Sequence, residues 1–217
     1  MHRQIKSGKT VLRNWCLAFA ATAIMVGVCI AYVDRPVAEF FNLHLRPTAT
    51  WVWIVRALAP LELTVAIASL FVLGCVIWAS FGRLLPLWTR TPRLCGWAAV
   101  WATVASFVSK RLFGRVSPDP EFVQNRLYGF RLLHGATHWH SFPSGTAMIS
   151  VAIVSVLWIL QPRWRALSAL IAALLCVAVV VTNYHWVGDV IAGTFLGAFI
   201  GWMTVWVAML RERRNSS

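Results

Sequence analysis

The sequence predicts an all-α integral membrane protein, a bundle of six transmembrane helices, and three observations predict it. Of 217 residues, 59% are hydrophobic and only 12% charged, with a mean hydropathy of +0.68. A water-soluble domain of this size needs more polar surface. The apolar residues also gather in long runs, each close to the roughly 20 residues that cross a bilayer. Finally, many of the thirteen Trp lie near the ends of those runs, as an interfacial belt requires.

The expected spans are 15–33, 61–81, 95–113, 143–160, 164–184 and 187–210, all within one membrane domain, 1–217, without an internal repeat. The first follows basic residues, as a signal sequence would. It is too long for a secretory core and has no small-x-small site behind it, so an uncleaved span is expected. In 34–59, Asp34-Arg35-Pro36 is a helix-start signal. Phe40, Phe41, Trp51 and Trp53 behind it predict short helices lying at the membrane surface. Pro60 breaks the chain before the second span. The link 82–94 is short and basic, 114–142 is long and polar, and 161–163 is minimal. Spans five and six meet at a sharp turn around His185.

The formal charge of +13 raises nucleic acid as a partner, but the basic residues sit in short links and at the termini, as in a multispanning protein. The N-terminal tail, the 82–94 link, Arg163 with Arg165, and the C-terminal tail hold twelve Lys and Arg against eight on the other side. This bias places both termini in the cytoplasm and 114–142 outside. The five Cys have no metal-ligand or disulfide spacing and read as small buried hydrophobes.

Three stretches fall at the outer end of the bundle. In His140-Ser141-Phe142-Pro143-Ser144-Gly145-Thr146, Pro143 suits a first helical turn and Ser141 an N-cap. Ser144, Gly145 and Thr146 then present a hydroxyl and free amides at a helix N-terminus, a seat for phosphate. Span three exits with Lys110, followed by Arg115, and span five ends at His185, four residues before Asp189. Ionisable residues at such depth are functional candidates by default. A carboxylate bonded to one ring nitrogen leaves the other free to attack phosphorus. Lys110, Arg115 and the helix amides would hold the phosphoryl oxygens. The simpler readings are a capping Ser144, a structural His–carboxylate pair, and Lys110 and Arg111 snorkelling to head groups.

Lys110, Gly114-Arg115 and Pro118, then Pro143-Ser144-Gly145, then His185 and Asp189 resemble the type 2 phosphatidic acid phosphatase (PAP2) superfamily. Its pattern is Lys-x6-Arg-Pro, Pro-Ser-Gly-His and Ser-Arg-x5-His-x3-Asp. The resemblance spans roughly spans three to six. It implies a six-span lipid phosphatase or phosphotransferase of a bacterial inner membrane, working at the outer face without metal or cofactor. Its substrates would be phospholipids or polyprenyl (di)phosphates. His185 would be the nucleophile, Asp189 its orienting partner, and Lys110 and Ser144 phosphate ligands. Three positions depart from the pattern: Ser117 for Arg, Thr146 for His, and Ala178-Val179 for Ser-Arg. Arg115, Arg111, Arg126 or Arg131 could replace a cation, and His134, His138 or His140 could supply the proton. The alternative is a catalytically impaired relative that binds or moves a phospholipid without cleaving it.

Overall fold

The computed structural model describes residues 8–58, 74, 78, 89–133 and 139–215. Among the described residues every extended element is helical, and the one β feature is an isolated bridge between Arg115 and Phe130. Helix α1, Gly8–Val28, passes through a π-helical turn, Cys29–Val33, into α2, Asp34–His44. Then come α3, Ala49–Leu58, and α4, Arg90–Phe113. The chain returns as α5, Gly145–Leu160, α6, Arg165–Val181, and α7, Val187–Asn215.

Among the described residues, three stretches are long and apolar enough to cross a membrane: Lys9–His44, Pro162–Val181 and Val187–Arg214. Gly145–Leu160 is apolar but shorter. Helices stand where five of the six expected spans lie. The other, 61–81, falls outside the described residues apart from Gly74 and Trp78. On α6, Leu167, Leu170, Leu174 and Val177 are all exposed, which suits a helix whose outer face meets lipid rather than water.

Asp34 does not open a separate helix. Its amide donates to the Cys29 carbonyl, five residues back, and the helix continues. Pro36 has no N–H to give a carbonyl four residues earlier, and the wider turn shifts the register just before it.

Helix α5 is the axis of the fold. Small residues of α4, Ala98 and Ala102, pack on Met148 and Ala152. On its other side α7 runs parallel to it at very close range. A Cβ at Gly193, Gly197 or Gly201 would sit 2.5, 2.3 or 2.4 Å from the carbonyl oxygens of Ser144, Met148 and Ala152. Only glycine at four-residue spacing permits such an approach of two helix backbones. As a result the N-termini of α5 and α7 lie side by side, with the Ser144 amide donating to the Asp189 carbonyl at 3.0 Å.

Candidate active site

Helix α4 ends at Gly114, which takes a left-handed conformation (φ 49°) and returns its amide to the Lys110 carbonyl. A side chain is strained there and glycine is not. The turn sends Arg115 into the bundle, where it has no solvent exposure. Its Nη1 donates to Asp189 Oδ1 at 2.5 Å, and its Nη2 to Asp34 Oδ2 at 2.5 Å and to the Tyr128 hydroxyl at 3.0 Å. The rings of Phe130, Trp186 and Tyr128 surround the guanidinium at 5.0, 5.1 and 5.5 Å. Its Nε is buried without a hydrogen-bond partner. Burial pulls the Arg115 pKa down, but Asp189 and Asp34 outweigh it and hold the group above its ordinary value. Burial raises Tyr128, which stays protonated and donates to the Ile30 carbonyl at 2.7 Å.

Asp34 also accepts the Gly188 amide at 3.0 Å, tying the first helix to the start of α7. Asp189 is the third residue of α7, and its Oδ2 takes the amide of Trp186 at 3.3 Å. That is the reciprocal half of a capping box. The same oxygen accepts the Ser141 hydroxyl at 2.5 Å. His185 lies just before α7 in a tight turn, its amide bonded to the Val179 carbonyl. Its Nδ1 is 3.4 Å from Ser141 Oγ and 3.8 Å from Asp189 Oδ2.

Ser144 is the N-cap of α5: its hydroxyl accepts the Ala147 amide at 3.3 Å. The next two amides, of Gly145 and Thr146, have no acceptor within the helix. Beside them lie Lys110 and Ser106: a Cβ on Gly145 would be 3.7 Å from Lys110 Nζ and 2.9 Å from Ser106 Oγ. Gly145 follows Ser144, whose amide bonds the Asp189 carbonyl, so the lysine and the His185–Asp189 cluster share one end of the bundle. From this polar corner a largely apolar cleft of about 650 Å³ runs between α4, α5 and α6, past Thr103, Phe107, Ile149 and Ile153 to Leu157.

The geometry corrects four expectations. Pro143, joined to Phe142 by a cis peptide bond, precedes the helix, and the cap is Ser144; Ser141 turns its hydroxyl to Asp189 instead. Arg115 points at two carboxylates, so both terminal nitrogens are committed to holding the bundle rather than to a phosphate. The Asp189 carboxylate does not bond the His185 ring directly: Nδ1 stays 3.8 Å from Oδ2, because Arg115, Ser141 and the Trp186 amide occupy the carboxylate. Trp186 is buried, not interfacial. Arg111 stacks over Phe107, Arg126 pairs with Glu39 at 2.7 Å, and Arg131 lies over Trp139. His140 is exposed, and His134 and His138 lie outside the described residues. Asp34 was missed as a site residue; the signal was an acid directly behind an apolar run.

This end of the bundle carries the motif residues of one family, and the PAP2 superfamily model matches residues 91–213. The chain belongs to the PAP2 superfamily. Among its curated relatives, a lipid A 1-phosphatase of Rhizobium etli is 31% identical over 114 residues, covering 52% of this chain and 47% of the relative. An undecaprenyl-diphosphatase of Sulfolobus acidocaldarius is 30% identical over 136 residues, 59% of this chain and 62% of the relative. The chain thus matches about half the length of these relatives. Two crystal structures share the fold. The PAP2-type phosphatidylglycerolphosphate phosphatase of Bacillus subtilis has a TM-score of 0.55 at 18% identity, covering 90% of this chain and 96% of its own. Aquifex aeolicus LpxE has a TM-score of 0.52 at 19% identity, covering 80% and 94%.

At the departures from the PAP2 pattern the side chains themselves are uncharged. Val179 is buried among Ala147 and Val190. Ser117 bonds the Asp119 carbonyl. Thr146 lines the cleft.

Proposed function

We propose that this chain is a six-span lipid phosphatase or phosphotransferase of the bacterial inner membrane, with both termini cytoplasmic and the site at the outer face. The observation that carries it is the corner where Lys110, Ser106 and the Gly145 and Thr146 amides cap an apolar cleft, with His185 at the same end of the bundle. Phosphoryl oxygens meet a cation and a helix N-terminus there, and a lipid chain lies in the cleft. His185 attacks phosphorus and carries a phosphohistidine intermediate. Lys110 and the amides stabilise the developing charge without a metal.

Thr146 bears on the substrate. An alkoxide leaving group needs a general acid, worth about 10²–10⁴ in rate. A phosphate leaving group is a weaker base and needs it less. With Thr at that place, a lipid diphosphate, or phosphoryl transfer between lipids, fits better than a simple monoester. Of the relatives' names, undecaprenyl-diphosphatase favours a diphosphate, while lipid A 1-phosphatase names a single phosphate on a lipid.

The test is phosphate release by purified protein in detergent with a chelator, across lipid mono- and diphosphates. Diphosphates should turn over fastest, and His185→Ala should abolish release. Undiminished release by His185→Ala defeats the mechanism. The second reading, a lipid binder that does not cleave, draws on the apolar Val179 and the committed Arg115, which leave Lys110 as the cation at the corner. Absent release with retained lipid binding selects it.

A further inference from the structure

We infer that Ser141 is a positioning residue that carries the link between His185 and Asp189 and sets which ring nitrogen is free. The inference rests on the phosphohistidine reading above for its role in turnover, but its geometry stands apart. Asp189 Oδ2 is 3.8 Å from His185 Nδ1, beyond hydrogen-bond range. Ser141 Oγ lies between them, 2.5 Å from the carboxylate and 3.4 Å from the ring. Ser141 is itself buried, and its own amide, bonded to the Arg115 carbonyl at 2.9 Å, fixes it there.

The direction of the two bonds follows from charge. Arg115 bonds Asp189 directly and keeps it ionised, so the carboxylate only accepts. The one hydroxyl hydrogen of Ser141 therefore goes to Asp189. What Ser141 offers the ring is a lone pair, and Nδ1 must be the donor. The neutral ring is then protonated at Nδ1 and holds its free electron pair at Nε2. In the reaction Nε2 forms the bond to phosphorus as the leaving group departs with its electron pair. The ring becomes an imidazolium that keeps the Nδ1 hydrogen, and its bond to Ser141 shortens as it becomes charge-assisted. Water then adds to phosphorus, the N–P pair returns to Nε2, and the water's proton leaves with phosphate or to solvent. A hydroxyl relay replaces the direct carboxylate contact because Asp189 is already held by Arg115 and by the Trp186 amide.

The experiment compares wild type, Ser141→Ala, Ser141→Thr and His185→Ala as full-length protein in detergent, with farnesyl diphosphate as probe. Ser141→Ala should lower kcat about 10- to 100-fold, less than the roughly 10⁴ lost when a triad's orienting acid is altered. Its KM should stay within about two-fold and its folding should be unchanged, since the backbone bonds of residue 141 to Arg115 and of Ser144 to Asp189 remain. Ser141→Thr, which keeps the hydroxyl, should restore kcat to within about three-fold. Ring-nitrogen chemical shifts of isotope-labelled histidine should show His185 of the wild type protonated at Nδ1, and that preference should vanish in Ser141→Ala. Wild-type kcat in Ser141→Ala, or a wild-type ring protonated at Nε2, overturns the inference. If no variant releases phosphate, the functional reading fails while the nitrogen shifts still decide the role of Ser141.

Discussion

Lys110 and Arg115 sit at one end of this bundle, five residues apart in sequence and in opposite settings. Arg115 is sealed among three aromatic rings and bonded to Asp34 and Asp189. Lys110 faces an open apolar cleft beside free helix amides, with no carboxylate partner among the described residues. The difference lies in what each helix end already provides. Gly114 turns the chain inward, so the next side chain enters a space where two buried carboxylates need a counter-charge. Lys110, one turn earlier, stays on the α4 face that borders the cleft. Arg115 therefore holds three chain segments together, and Lys110 is available to an anion.

Breaking the buried set should have the largest effect. Arg115→Met leaves two buried carboxylates unpaired and should cost about 3–5 kcal/mol, read as a lower thermal midpoint in detergent or as loss of folded protein. A folded, active Arg115→Met would end the distinction. Lys110→Ala should do the reverse: folding unchanged, with kcat/KM for phosphate release down about 10²–10³-fold, the scale of losing one charge-stabilising donor. Gly197→Val tests the frame that joins the two regions. Its side chain would meet the Met148 carbonyl, and overpacking of this kind costs about 1–3 kcal/mol, with activity falling as the α5 and α7 N-termini separate. Arg126→Ala removes an exposed pair with Glu39, and should change stability by only about 0–1 kcal/mol. A large loss there would show that exposure is not what separates the arginines.

Much of the helical frame was legible because an apolar run in a membrane has few options. Every backbone polar group must be satisfied within the run, so length and hydropathy together specify a helix. The His185, Asp189, Ser144 and Lys110 positions were legible for a different reason: their spacing is short and matches a family pattern. The glycine series 193, 197, 201 is equally open to view, yet it does not say which helix it meets; only the fold sets it against the Ser144, Met148 and Ala152 carbonyls. Asp34 carries only a local helix-start signal in the sequence, since its partner lies 81 residues away.

From its sequence alone the chain fixes where helices lie and which residue types gather at one end, because hydropathy and short-range spacing act along a single segment. Which of those residues pair was decided by tertiary structure. Arg115 meets carboxylates 81 residues before and 74 after it, and Ser141 falls between His185 and Asp189 only because three glycines let α7 come up against α5. Such pairings depend on helix rotation and depth to within an ångström or two, and no local pattern carries that information.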